Sequence, residues 1–201
     1  MVELRSEENG ARPSSGRAFS FCSDGGRCFS GSLSDWKVQL VFWLIFVVGL
    51  ISDLWSKRAV FEWLGQRPGR VAVLIDGLLN FVIAENSGAA FGVATGRRNW
   101  LISVSFISLI IIFVVFLSGR IRQRSIYAAL GLFAAGICGN LYDRLFNNGL
   151  VRDFIDVVYW SGRHWPAFNV ADSMLCVGVG LVIISGLFTE KSAQRRAQQH
   201  K

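Results

Sequence analysis

The sequence predicts an all-α membrane protein with four transmembrane helices, a small external β-rich segment and an interfacial amphipathic segment. Three observations predict it. Apolar residues make up 52% of the 201-residue chain and charged residues 17%, against about 45–50% and about 25% in soluble domains. The apolar residues cluster into nearly charge-free blocks about as long as ~30 Å of hydrocarbon demands, roughly 20 residues. The basic residues sit in the loops and tails between those blocks. Buried helices of a soluble protein are the alternative, but four such blocks in 201 residues leave too little polar surface to cover them.

Residues 1–35 are rich in Ser, Gly and Arg without sustained periodicity, so a disordered cytoplasmic extension is expected there. The membrane domain is expected over 36–190 and a basic cytoplasmic tail over 191–201. The first block, 38–55, is interrupted by Asp53 and shows no small-residue cleavage site, so it is read as a retained helix. The stretch 71–83 is apolar but too short to cross, and it holds Asp76, Gly77 and Asn80. Short strands or an interfacial segment fit it best. The second block is 100–117. The third, 126–142, is rich in Gly and Ala, which lets membrane helices approach closely, so it is expected to be buried among the others. Residues 145–166 mix Phe146, Leu150, Phe154, Ile155, Val158, Tyr159 and Trp160 with charged groups, as an interfacial amphipathic segment does. The fourth block, 170–188, has Asp172 near its start.

The net charge of +7 follows from topology rather than from nucleic-acid binding, because no basic patch interleaves with exposed aromatics. Arg120, Arg122 and Arg124 lie between the second and third helices without an acid among them, which makes that loop and both termini cytoplasmic. Cys22 and Cys28 then face a reducing compartment, so no disulfide framework is expected. His164 and His200 lack ligand spacing, and no metal or cofactor is expected.

Ionisable groups near hydrocarbon cost about 2.5–3.5 kcal/mol each at a helix centre, so they call for an explanation. Here they gather at one side of the membrane. Asp53 and Lys57, four apart, share a face at the outer end of the first helix. Asn140, Asp143 and Arg144 close the third helix. Asn169 and Asp172, three apart, open the fourth. Asp153 and Asp156 lie in the connecting segment and Asn86 follows the short strand region. Each could be an anchor, a cap or a structural ion pair, and for Asp156 a structural or solvated role fits best. Two carboxyls brought close cannot both ionise cheaply and share one proton. Such a pair activates water with its charged member and protonates a carbonyl with the other.

These residues fall in five motifs: Asp53-Leu-Trp-Ser-Lys57, Asn86-Ser-Gly-Ala-Ala-Phe91, Gly139-Asn-Leu-Tyr-Asp-Arg144, Val151-Arg-Asp-Phe-Ile-Asp156 and Phe168-Asn-Val-Ala-Asp172. In order and placement they resemble the motifs of the lipoprotein signal peptidase (signal peptidase II) family, over about residues 38–188. The resemblance implies an aspartic endopeptidase of the bacterial inner membrane, active on its periplasmic side. It would remove the signal peptide from a prolipoprotein just before a diacylglyceryl-modified cysteine. It implies Asp153 and Asp172 as the catalytic dyad, and Asn86, Asn140, Arg144 and Asn169 as substrate-holding and dyad-orienting groups. Asp143 would fix Arg144 and the loop, with Asp53 and Lys57 supporting. The implied partners are the prolipoprotein and membrane lipids, and the expected state is a monomer. Departures from the pattern are Glu85 before Asn86, Ala135 in place of a glycine, and one extra residue between Asp143 and Asp153.

Rival chemistries fit less well. A Ser-Lys peptidase would need Ser56 and Lys57, whose adjacency on a helix is poor geometry for a nucleophile and its base. A proton-relaying transporter subunit would carry polar groups through the bilayer, whereas here they collect at one end. A scaffold with degenerate motifs would not keep both aspartates.

Overall fold

The computed structural model describes residues 36–88, 96–119, 121, 123–160 and 162–199, with side chains to residue 188. The extension 1–35 with Cys22 and Cys28, Arg120, Arg122, the end of the Asn86 motif, and the side chains of the basic tail lie outside the described residues.

Four helices carry the apolar blocks: α1 (Trp36–Gly65), α2 (Arg98–Leu117), α3 (Arg124–Phe146) and α4 (Val170–Gln199). Each is long and apolar enough to cross a bilayer, α4 over Val170–Phe188. The backbone stays helical to Gln199, so the fourth helix continues into the basic tail without a break. As its composition predicts, α3 is the central helix. Its spanning window is 56% buried, against 11–22% in the other three. Small residues make this possible. A Cβ on Gly136 would stand 2.7 Å from the backbone oxygen of Ala171 on α4, so no larger residue lets the two helices approach this closely. At the end where α1 and α3 begin and α2 finishes, Phe42, Ile112, Phe116, Tyr127, Leu130 and Ala134 form the apolar core. Phe42 and Phe116 stack there with ring centroids 4.0 Å apart. The outward faces of α1, α2 and α4 expose Leu44, Val48, Ile51, Ile110, Val114 and Ile183, as helices packed against lipid do.

At the opposite end sits a four-stranded antiparallel sheet, in the order β1 (Val71–Ile75), β2 (Leu79–Asn86), β3 (Val151–Trp160) and β4 (Arg163–His164). The 71–83 stretch forms the β1–β2 hairpin, turning at Gly77 with φ 69°. The amphipathic segment takes the form of strands β3 and β4. Its amphipathicity runs lengthwise: Val151, Asp153, Phe154 and Asp156 are buried, while Tyr159 and Trp160 at the far end are exposed. Phe154 packs edge-on against Phe81 of β2. The β2–β3 register sets Ala84 opposite Asp153 and Asn80 opposite Asp156. Backbone bonds from Phe154 and Ile155 to the Phe168 oxygen then lead the chain into α4.

Candidate active site

Asp153 and Asp172 reach the site from different elements. Asp153 is fixed by the sheet register and is 1% exposed. Asp172 stands in the first turn of α4, where the backbone builds a reciprocal cap. The Asp172 N–H donates to Asn169 Oδ1 (3.0 Å) and the Asn169 N–H donates to Asp172 Oδ2 (3.3 Å). This is the capping-box arrangement with Asn and Asp in its two positions, and it holds both side chains at the helix entrance.

Two asparagine side chains bridge the aspartates. Asn169 Nδ2 donates to Asp153 Oδ1 (2.6 Å) and to Asn140 Oδ1 (3.0 Å). Asn140 Nδ2 donates onward to Asp172 Oδ1 (2.8 Å). On its other oxygen, Asp153 accepts from Asn86 Nδ2 (3.2 Å). Asn86 is itself set by an Asx turn, its Oδ1 accepting from the Gly88 N–H (2.9 Å). Burial pushes the Asp153 carboxyl up to about 7, and the charge of Asp172 pushes the same way. Hydrogen bonds from Asn86 and Asn169 and the charge of Lys57 pull it partly back. Asp153 therefore keeps its proton up to around neutrality.

Beneath the pair lies a buried ionic cluster. Lys57, fully buried, points its ammonium at Asp53 Oδ2 (2.7 Å), Asn140 Oδ1 (3.0 Å) and Asp143 Oδ2 (3.2 Å). The ammonium thus sits between two carboxylates and one amide oxygen. Asp53 Oδ1 accepts from the Ala171 N–H (2.8 Å), which ties α1 to the start of α4. Gly139 is required at this crossing, because a Cβ there would collide with the Asp53 carboxylate. Asp143 accepts from the Arg152 backbone N–H (3.1 Å) and from its Nε (3.0 Å) and Nη2 (2.5 Å). Asp143 therefore holds the start of β3 through Arg152, not through the Arg144 guanidinium. Arg144 instead donates from Nη2 to the Gly88 oxygen (2.8 Å), while its buried Nε has no hydrogen-bond partner among the described residues.

The arrangement brings together all nine residues singled out from the sequence. Asp156 stands apart, bonded by Asn80 Nδ2 (3.0 Å) and His164 Nδ1 (2.9 Å) farther along the sheet. Sequence reasoning missed two arginines. Arg152 lies inside a quoted motif, and its place beside Asp153 was the available signal. Arg98 opens α2 and donates to the Arg144 and Leu145 oxygens (3.1 and 3.3 Å), closing the C-terminus of α3. Nothing in its sequence surroundings marks that role.

The profile of the signal peptidase (SPase) II family matches residues 45–188. The chain belongs to the signal peptidase II family. Similar relatives are the lipoprotein signal peptidases of Geobacter metallireducens, 36% identical across 75% of this chain and 93% of that protein, and of a Sulfurihydrogenibium species, 38% identical across 77% and 96%. A solved bacterial membrane enzyme shares the fold, with a TM-score of 0.65 at 31% identity, covering 75% of this chain and 90% of its own. This member of the signal peptidase II family is thus a multi-pass membrane protein of a peptidase family.

Proposed function

We propose that this chain is an aspartic endopeptidase that removes the signal peptide from diacylglyceryl-modified prolipoproteins, cutting just before the lipidated cysteine. The observation that carries the reading is the Asn169–Asn140 bridge, which joins two carboxylates from separate elements. With one proton between them, the ionised carboxylate takes a proton from water and the protonated one gives its proton to the scissile carbonyl. Water attacks directly, so no covalent enzyme intermediate forms. The Arg144 Nε, without a hydrogen-bond partner among the described residues, and the Asn86 amide would supply donors to the developing oxyanion. Asn140 and Asn169 orient the pair, and Asp53, Lys57 and Asp143 hold the helix ends beneath it.

The reading includes a topology. The peptidase acts as a monomer in the bacterial inner membrane, meets its lipid-anchored substrate at the periplasmic surface and keeps both termini in the cytoplasm. The short arginine loop supports this orientation. A reporter fused after Lys201 is expected to be cytoplasmic, and a periplasmic signal overturns the orientation. The chemistry is tested with a prolipoprotein offered with and without its diacylglycerol. Only the lipidated form is expected to be cut, and Asp153→Asn and Asp172→Asn are each expected to abolish the cut. Full activity in either variant would sink the dyad.

A further inference from the structure

Arg152 has more bonds into the ionic cluster than a surface arginine would. Its backbone N–H and two guanidinium nitrogens all donate to Asp143, which is fully buried. Its backbone oxygen accepts from Asn169 Nδ2 (3.3 Å), the same nitrogen that donates to Asp153 Oδ1. Residue 152 is therefore held from both sides, immediately before Asp153. Its register partner across the sheet is Glu85, whose carboxylate accepts from Asn147 instead.

Charge counting gives the guanidinium a second task. Asp53 and Asp143 share Lys57. Without another cation the cluster would bury one uncompensated negative charge, and Arg152 supplies that cation. Deleting it makes both carboxylates compete for Lys57. The Lys57 ammonium also bonds Asn140, so the disturbance passes to Asp172 as well as to Asp153.

We propose that Arg152 is a positioning residue of the catalytic pair: by clamping the start of β3 to Asp143 and Asn169, it sets where the Asp153 carboxylate stands relative to Asp172. The inference rests on Asp153 and Asp172 being the reacting pair. Lysine would keep the charge but lose the planar fork that spans Nε and Nη2. The charged groups around the pair are Asp53 and Lys57 on α1, Glu85 on β2, Asp143 and Arg144 on α3, and Arg152 itself. Removing Arg152 makes their sum one unit more negative, which holds the proton of the pair more tightly.

The test uses the full chain purified from membranes with a diacylglyceryl-modified peptide substrate. Arg152→Met is expected to lower kcat on the order of 10–100-fold, with KM little changed, and to move the alkaline limb of the pH–rate profile to higher pH. Arg152→Lys is expected to return that limb and recover part of kcat. Wild-type kcat in Arg152→Met, or equal losses in both variants with an unmoved limb, would overturn the proposal. If Arg152→Met does not fold, the double variant Arg152→Met/Asp143→Asn restores neutrality while still lacking the clamp. A reduced kcat in it supports the positioning role and a wild-type kcat overturns it. Activity surviving in Asp153→Asn would instead remove the dyad reading underneath.

Discussion

Under the proposed aspartic chemistry, a proton shared by Asp153 and Asp172 makes activity pH-dependent. The Asp153 carboxyl is raised from about 3.8 to about 7, first by burial and then by Asp172. Above that point both carboxylates are ionised and no acid remains to protonate the carbonyl. The kcat of the wild-type enzyme is therefore expected to fall as pH rises past about 7. Stability carries the same linkage. The folded state binds a proton that the unfolded state releases near 3.8, so folding is penalised progressively as pH rises between the two values. Thermal unfolding in detergent is expected to shift downward from pH 5 to pH 8 in the wild type, and less so in Asp153→Asn. Equal slopes would contradict the burial of an ionisable Asp153. The residue types needed for this chemistry were legible in the sequence, because carboxyls and amides beside apolar blocks are costly and stand out. The proton affinity of Asp153 was not, since it depends on how deeply the folded chain buries the carboxyl.

The start of α4 is both a helix cap and part of the proposed site, and the two roles can be separated. Asn169 caps the helix through Oδ1 and bridges Asp153 to Asn140 through Nδ2. Serine can cap but lacks the amide. Asn169→Ser is expected to keep stability within about 1 kcal/mol while losing most activity, as read by unfolding and single-turnover cleavage of one preparation. Asn169→Ala is expected to lose both. If Asn169→Ser retains wild-type activity, the bridge does not orient the pair. At this scale the sequence was informative where periodicity or length spoke. The four apolar blocks became α1 to α4, and Gly and Ala marked α3 as central. Residues 145–166 were less legible. Their amphipathicity was plain, but pairing with β2, 67 residues away at the Asn86–Asp153 contact, decided that they form strands. Between Asp143 and Asp153 the chain turns where Asn148 and Gly149 take positive φ.

Across the whole molecule, the charges gathered around Lys57 and the Asp153–Asp172 pair form a balanced set, with buried Asp156 standing apart beside His164. Asp53, Lys57, Asp143 and Arg152 sum to zero, and Arg144 offsets the single negative charge of the half-protonated pair. Breaking a buried pair leaves an uncompensated charge and costs about 3–5 kcal/mol. Lys57→Met, which leaves Asp53 and Asp143 facing each other without their shared cation, is expected to destabilise the fold by about that much. A denaturation series on the purified variant checks it, and a loss below ~1 kcal/mol would mean that the cluster is better solvated than its burial implies. The cluster is a single crossing point, to which α1 gives Asp53 and Lys57, α3 gives Asn140 and Asp143, β3 gives Arg152 and α4 gives the Ala171 N–H.

The sequence by itself determined the membrane class, the four spans and the set of polar residues at their ends. Hydrocarbon penalises each such group one residue at a time, so both the apolar blocks and their exceptions are visible along the chain. Only the tertiary structure decided which polar group meets which. Asp143 bonds Arg152 rather than Arg144, Asp156 pairs with His164 rather than joining Asp153 and Asp172, and one asparagine amide reaches both Asp153 and Asn140. Those choices follow from sheet register and helix approach, which set distances between residues far apart in the chain and leave no mark on their spacing.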